Sequence, residues 1–192
     1  MGTGVTLERV VHGLTADHAT TVLIDGRSGS GKSTLADRFA TRWESSVVVR
    51  LDDIYPGWDG LAWAIDHVLH ELLRPRADGR PGRWRRWDWA TNTAAGWHTV
   101  EPAQRLILEG VGALSPASRA TAGLGIWVDT PDDIRKQRAL ARDGELYRPH
   151  WERWAAQEDD HIARHTPHSV ADIVVTETTD GLVWTAGNRR PV

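Results

Sequence analysis

The stretch that decides the fold reads Thr21-Val22-Leu23-Ile24-Asp25-Gly26-Arg27-Ser28-Gly29-Ser30-Gly31-Lys32-Ser33-Thr34. Its first five residues form a short apolar run with the length of a buried strand. Gly26 to Ser33 then fits G-x-x-x-x-G-K-[ST]. A helical pattern follows over Lys32–Trp43, with Leu35, Phe39 and Trp43 on one face. Strand, glycine-rich turn and helix in that order form the context in which this motif cradles phosphate. Glycines let the backbone turn with positive φ and bring N–H groups onto phosphate oxygens. The helix start near Gly31 adds its positive dipole end to the same site. The expected cradle is Gly26, Ser28, Gly29, Ser30, Gly31, Lys32, Ser33 and Thr34. Lys32 would reach the β- and γ-phosphates, and the Ser33 hydroxyl would ligate Mg²⁺. The expected ligand is a nucleoside triphosphate.

Working outward, short apolar runs alternate with helical patterns, which implies a parallel α/β sheet. Further strands are expected at Val47–Leu51, Leu106–Glu109, Gly125–Asp129 and Ala171–Val175, giving five with Thr21–Asp25. Helices are expected at Asp59–Arg74, with Leu61, Ile65, Val68, Leu69 and Leu72 on one stripe, and at Trp151–Arg164. Another is expected at Pro131–Arg142, with Thr130 as N-cap and Pro131 in the first position. Between Arg74 and Gly96 the pattern breaks: six Arg fall within Arg74–Arg86 and three Trp within Trp84–Trp89. This reads as a hairpin-like excursion. Met1–Ala19 and Trp184–Val192 carry little pattern.

The chain has 192 residues, a single-domain length, and no cysteine, which excludes disulfide scaffolds, zinc ribbons and thiol catalysis. No apolar run approaches a membrane span and the N-terminus has no signal-like segment, so the expectation is a cytoplasmic protein with no membrane partner. A net charge of −3 argues against general nucleic-acid binding. The Arg/Trp segment resembles a single-strand binding patch. In an acidic chain with a phosphate site it is read instead as an acceptor lobe, in which Trp84, Trp87 or Trp89 stack on a planar substrate and Arg85 or Arg86 meets an anionic one. The alternative is a hairpin whose Trp residues only pack. A monomer or homodimer is expected.

No Asn-Lys-x-Asp tetrapeptide supports a guanine switch, and the length is short for a motor or transporter ATPase. A small kinase needs an acceptor site, a base and a mobile cationic lid. Asp52 and Asp53 follow the second strand and lie on the ligand-binding rim of an open α/β sheet. A carboxylate there would take a hydroxyl proton or hold hydrated Mg²⁺. Glu109 ends the third strand on the same rim and suits Mg²⁺-bound waters. Arg135, Arg138 and Arg142 share one helical face that runs into Asp143-Gly144, a natural break, with Arg148 beyond. Guanidiniums on a moving segment, residues 138–149, would neutralise the transferring phosphoryl group.

The ordered set of motifs resembles the uridine kinase (nucleoside kinase-like) branch of the P-loop kinases. IDGRSGSGKST resembles that family's opening strand and loop. LDDIY resembles its strand-end Asp with Tyr three residues on, which maps the catalytic Asp to Asp52 and the Tyr to Tyr55. LILEG resembles its third strand, VDTPDDIRKQRALARDG its Asp-Thr strand end and lid spacing, and ADIVV its closing strand. The resemblance covers Val22 to Val175. It implies a three-layer α/β/α P-loop NTPase fold with a five-stranded parallel sheet and a small Arg/Trp-rich acceptor lobe over residues 74–98. It also implies transfer of the ATP γ-phosphate, with Mg²⁺, to a hydroxyl of a nucleoside-like small molecule.

The catalytic set implied is Asp52, Lys32, Arg138 and Arg142, with Ser33, Asp52 and Glu109 at the metal. The acceptor would meet Asp53, Tyr55, Arg86, Trp87 and Asp88. The family's aromatic-Asp-His-Pro acceptor sequence is Trp87-Asp88-Trp89-Ala90 here, so only the Asp matches. Two alternatives stand beside this reading: a kinase of a phosphorylated or non-nucleoside molecule, and a regulatory module that binds nucleotide without catalysis.

Overall fold

A computed structural model describes residues 5–179 and 181–187. Residue 180 lies outside the described residues, as do residues 1–4 and 188–192, parts of the two weakly patterned terminal stretches. The main sheet has the order β2-β5-β1-β6-β7-β8, built from β1 (Thr21–Asp25), β2 (Ser46–Arg50), β5 (Arg105–Glu109), β6 (Leu124–Asp129), β7 (Ile173–Thr178) and β8 (Gly181–Ala186). The first five are parallel, as the sequence predicts. The sixth, β8, pairs antiparallel with β7, Ile173 opposite Ala186, and extends the expected five-stranded sheet by one. Edge strands of this kind are common on parallel sheets, and the alternating exposure of β8 gives no continuous apolar run to detect.

Period-two alternation sends side chains to two separate cores. Val22, Ile24, Ile107, Ile126 and Val128 face one side, where α1 (Leu7–Ala16) and α2 (Lys32–Arg42) contribute Leu7, Leu14, Leu35 and Phe39. Leu23, Leu106, Leu108 and Trp127 face the other. There α3 (Leu61–His67) and α7 (Trp151–His165) add Leu61, Ala64, Trp151 and Trp154. Helices on both faces make three layers. Thr6 caps α1 through its side chain, which accepts from Arg9 N.

The helix expected over Asp59–Arg74 is three pieces in succession. They are α3, a π-helical turn over Val68–Leu73 that buries Val68, Leu69, Leu72 and Leu73, and α4 (Arg74–Ala77). The excursion is a separate hairpin of β3 (Gly82–Asp88) and β4 (Thr93–Val100), paired antiparallel with a register shift between Arg85 and Trp87. Arg76 anchors its base. Buried at 5% exposure, it donates to the carbonyls of Thr20, Gln104 and Glu101. The short α5 (Pro116–Arg119) leads to β6, and α8 (Pro167–Val170) leads to β7.

The predicted N-cap of the helix after β6 is corrected. Pro131 holds the cap position of α6 (Asp132–Tyr147). The Thr130 hydroxyl donates instead to Ser30 O at 3.1 Å, tying the end of β6 to the glycine-rich loop. Inside α6, Gly144 leaves helical geometry at φ 55°, ψ −135°, so the helix breaks where the Asp-Gly pair predicts.

Candidate active site

The sheet order reverses beside β1: β2 and β5 lie on one side, β6 and β7 on the other. In open α/β sheets such a reversal opens a crevice at the strand carboxyl ends, and here the loop from Gly26 to Ser33 leaves β1 into it. Ser30 N bonds Arg27 O at 3.1 Å, and Gly31 (φ 91°) caps α2 with no side-chain acceptor. The N–H groups of the first turn of α2 are therefore offered to whatever lies in front of them. Lys32, 8% exposed, folds back so that Nζ donates to Arg27 O at 3.0 Å. Ser30 Oγ is buried without a hydrogen-bond partner among the described residues.

In front of the loop is a cavity of about 320 Å³, lined by Gly29, Gly31, Lys32, Ser33 and Thr34 together with Arg138, Ala139 and Arg142 of α6. Among the described residues three cations and no carboxylate line it, so the electrostatics favour a polyanion. A second cavity of about 240 Å³ shares Gly31, Thr34 and Arg138 with the first and adds Val128, Val175, Glu177 and Leu182. Arg138 pairs there with Glu177 through both guanidinium nitrogens, one bond at 3.0 Å. The hydrogen bond from Arg138 holds the Glu177 carboxyl below its ordinary range. The loop also touches α6 directly: at Gly29 (φ 80°) a Cβ would collide with the Arg135 carbonyl.

The rim acids surround Tyr55. Burial, the largest cause, raises its hydroxyl well above the ordinary value, and the charges of Asp52, Asp25, Glu109 and Glu158 push the same way. The ring stands edge-on to Trp154, with centroids 4.7 Å apart, and the hydroxyl donates to Val111 O at 2.7 Å. Tyr55, at 2% exposure, thus sits beneath the Asp52 turn rather than on an open wall. Asp52 and Asp53 are both exposed, in a 3-10 turn over Leu51–Asp53. Glu109 is buried, and Arg50 Nη1 donates to it at 2.8 Å while Arg50 Nη2 reaches Asp37. Burial works against the Arg50 charge, but these two carboxylates outweigh it and raise its pKa.

Around the Asp52 turn the hairpin and the segment after the Gly144 break converge through aromatic rings. Trp58 stacks on His150 at 4.5 Å and on Tyr147 at 5.3 Å, each tilted by 14°, and meets Trp89 at 5.1 Å. Asp88 spends its carboxylate on the hairpin turn, accepting from Ala90 N at 2.9 Å, and these turn amides lower its pKa. Arg86 is exposed on β3, and Trp87 is half-buried with its ring nitrogen unpartnered. Trp84 stacks on His98 and packs against the core. Of the three tryptophans named in the sequence, Trp89 is the one bonded to the Asp52 turn.

Residues the sequence did not single out also hold the site. Glu158 is buried in contact with Arg27 and Ser28 of the loop. Asp25 accepts from Gly26 N, Gly112 N, Leu114 N and His161 Nε2. Asp25 stands in the quoted stretch but reads there only as a strand end. His161, on α7, is thereby a structural partner of Asp25.

No family model matches the chain, and no curated protein matches it. Solved structures do. A possible uridine kinase from Bacillus stearothermophilus superposes with a TM-score of 0.61 at 20% identity, covering 88% of this chain and 96% of that one. The chain has a uridine kinase-like P-loop kinase fold. A candidate fructose transport system kinase from Silicibacter sp. gives a TM-score of 0.50 at 20% identity, covering 87% of this chain and 91% of that one. At these identities the likeness is one of fold. The Gly26–Ser33 loop and α6 line one cavity, and the Asp52 turn is not part of its lining among the described residues. Among the described residues no helix is long and apolar enough to cross a membrane.

The donor set fits Mg²⁺ rather than a protein-caged metal. Among the described residues no group of three or more His, Cys, Asp or Glu converges as a metal site. Mg²⁺ typically takes one or two protein oxygens and fills its octahedron with phosphates and water. Ser33 lines the cavity and offers one such oxygen, while Asp52 is an exposed carboxylate outside that lining.

Proposed function

We propose that this protein is an ATP-dependent small-molecule kinase that phosphorylates a hydroxyl of a nucleoside-like acceptor. The observation that carries the proposal is the cavity shared by the glycine-rich loop and the two arginines of α6. Backbone N–H groups at the start of α2 and Lys32 would bind the β- and γ-phosphates. The base of the nucleotide would lodge in the adjoining cavity between Val128, Val175 and Leu182. Ser33 and Asp52 would hold Mg²⁺, whose charge screens the phosphate oxygens when bound. Glu109, tied to Arg50, would act only from behind.

In the transfer, an acceptor oxygen forms a bond to the γ-phosphorus while the bond to the β–γ bridging oxygen breaks, and ADP departs. Asp52 orients the hydroxyl and takes its proton. Lys32, Arg138 and Arg142 face the charge that spreads over the phosphoryl oxygens, where electrostatic stabilisation is most effective. The segment beyond Gly144, with Tyr147 and His150 on Trp58, would exclude water as a rival acceptor. Trp58 and Trp89 beside Asp52 favour an acceptor with a planar group, and Asp53, Arg86 and Trp87 line the approach to it.

Two measurements test this. ATP with Mg²⁺ should raise Tm, because a ligand that binds only the native state stabilises it by mass action. A screen of nucleosides, nucleotides, vitamins and sugars should then find ADP release that depends on acceptor. Failure to bind ATP or GTP at millimolar concentration would remove the nucleotide site. Binding without any acceptor-dependent release would leave a regulatory nucleotide module.

A further inference from the structure

Glu158 lies in the middle of α7, the helix that follows the lid, and has 0% exposure. A carboxylate taken out of water is stable only where donors meet its lone pairs. Oε1 accepts from Ser28 N at 2.9 Å and from Ser28 Oγ at 2.5 Å, and Oε2 accepts from Arg27 Nε at 3.1 Å. Arg135 Nη1, at the start of α6, stands 3.8 Å from Oε2. The Ser28 hydroxyl accepts in turn from Trp154 Nε1 at 3.1 Å. Among the described residues, each hydrogen-bond or ion-pair partner of the carboxylate belongs either to the glycine-rich loop or to the helix that carries Arg138 and Arg142.

We infer that Glu158 is a positioning residue for the nucleotide site. It holds the outer half of the loop in shape before nucleotide arrives, and it fastens both feet of the lid, α6 at Arg135 and α7 itself, to that loop. The inference rests on the kinase reading above for its functional consequence. With the feet fixed, rearrangement of the lid is confined to the chain between Arg135 and Glu158, which contains the Gly144 break. The carboxylate fills the place of an anion at Ser28 N–H, while the amides farther along, at the start of α2, are left for phosphate. Without it, the loop would have to be ordered by the nucleotide, and Arg27 and Arg135 would each lose a carboxylate, keeping Asp159 and Asp132 as partners.

The test compares wild type, Glu158→Ala and Glu158→Gln by calorimetry with ATP and Mg²⁺, and by hydrogen exchange without nucleotide. In wild type the Ser28 amide should be protected by about 100-fold or more. Glu158→Ala should lose that protection and weaken ATP binding about 10-fold or more, the scale of a lost hydrogen bond to a charged group. Glu158→Gln keeps an acceptor for Ser28 N and should stay within about 3-fold of wild type, a rescue that a bulk packing role would not give. Unchanged or tighter ATP binding by a folded Glu158→Ala overturns the inference. If that variant does not fold, an unprotected Ser28 amide in wild type, or a Gln variant as weak as a 10-fold loss, overturns it instead. Absence of ATP binding by wild type would sink the kinase reading and the positioning role together. Ser28 protection would then mark the contact as packing alone.

Discussion

The indole N–H of Trp89, in the turn of the hairpin, donates to the backbone carbonyl of Asp52 at 2.8 Å. This bond joins the hairpin to the turn that carries the proposed base. Trp89→Phe keeps the ring and removes the donor. It should lower stability by about 1 kcal/mol, the net worth of such a bond. It should also raise the acceptor KM several-fold while ATP binding stays unchanged. An unaltered acceptor KM would separate the hairpin from the acceptor site.

Asp52 and Asp53 sit in a 3-10 turn, so their side chains leave the backbone about a third of a turn apart. Asp52→Asn should cost about 10²–10⁴ in single-turnover rate with ATP affinity within a few-fold. Asp53→Asn should remain active. The reverse result would move the base one residue along.

Arg138 now pairs with Glu177, and both side chains are more than a third exposed, so the pair contributes no more than about 0.5 kcal/mol after solvent screening. Its release for catalysis is correspondingly easy. Glu177 titrates below the ordinary glutamate range. The pair's contribution is therefore present above that range and is lost as pH falls through the lowered folded value. Arg138→Ala should reduce kcat about 10²-fold with a smaller change in the KM for ATP, whereas Glu177→Gln should leave kcat intact or higher. Equal losses in kcat for both variants would show that the pair, not the free cation, matters.

His67 connects α3 to the hairpin, accepting from Arg85 N at 3.1 Å through Nε2. Burial, aided by the charges of Arg83 and Arg85, lowers its pKa. The neutral ring is the form that can accept this bond. Its contribution is complete above the ordinary imidazole value, about 6.5, and is lost as pH falls below it through the folded value. Denaturant stability of wild type should therefore decline below about pH 6.5 more steeply than that of His67→Phe. Parallel pH profiles would contradict the role.

Much of this was legible in the sequence where it is written locally. The glycine-rich turn between β1 and α2, the five parallel strands and the Gly144 break each follow from a few adjacent residues and their periodicity. What escaped is held by long-range contacts. Glu158 reads as an ordinary helix acid until folding brings it to Ser28, 130 residues away. Thr130 has the chemistry of a helix cap, and only the tertiary fold offers Ser30 O as an alternative acceptor. Strand β8 has no core of its own to announce it, because it is an edge that gains its place from β7. Asp88 was matched by motif, but the need of a tight turn for an acceptor claims its carboxylate.

The hairpin of β3 and β4 forms its own two-stranded sheet, separate from the ladder of the parallel strands. Its attachment runs through Arg76 at the base, Trp84 and Val100 packed into the core, His67 and the Arg83–Glu71 pair on one side, and Trp89 at the tip. Its exposed residues lie outside the register of the parallel sheet. The hairpin is in that sense a replaceable tool head on a fixed handle. On the proposed reading, in which the hairpin meets the acceptor, exchanging its exposed residues is the direct route to redirecting which molecule is phosphorylated.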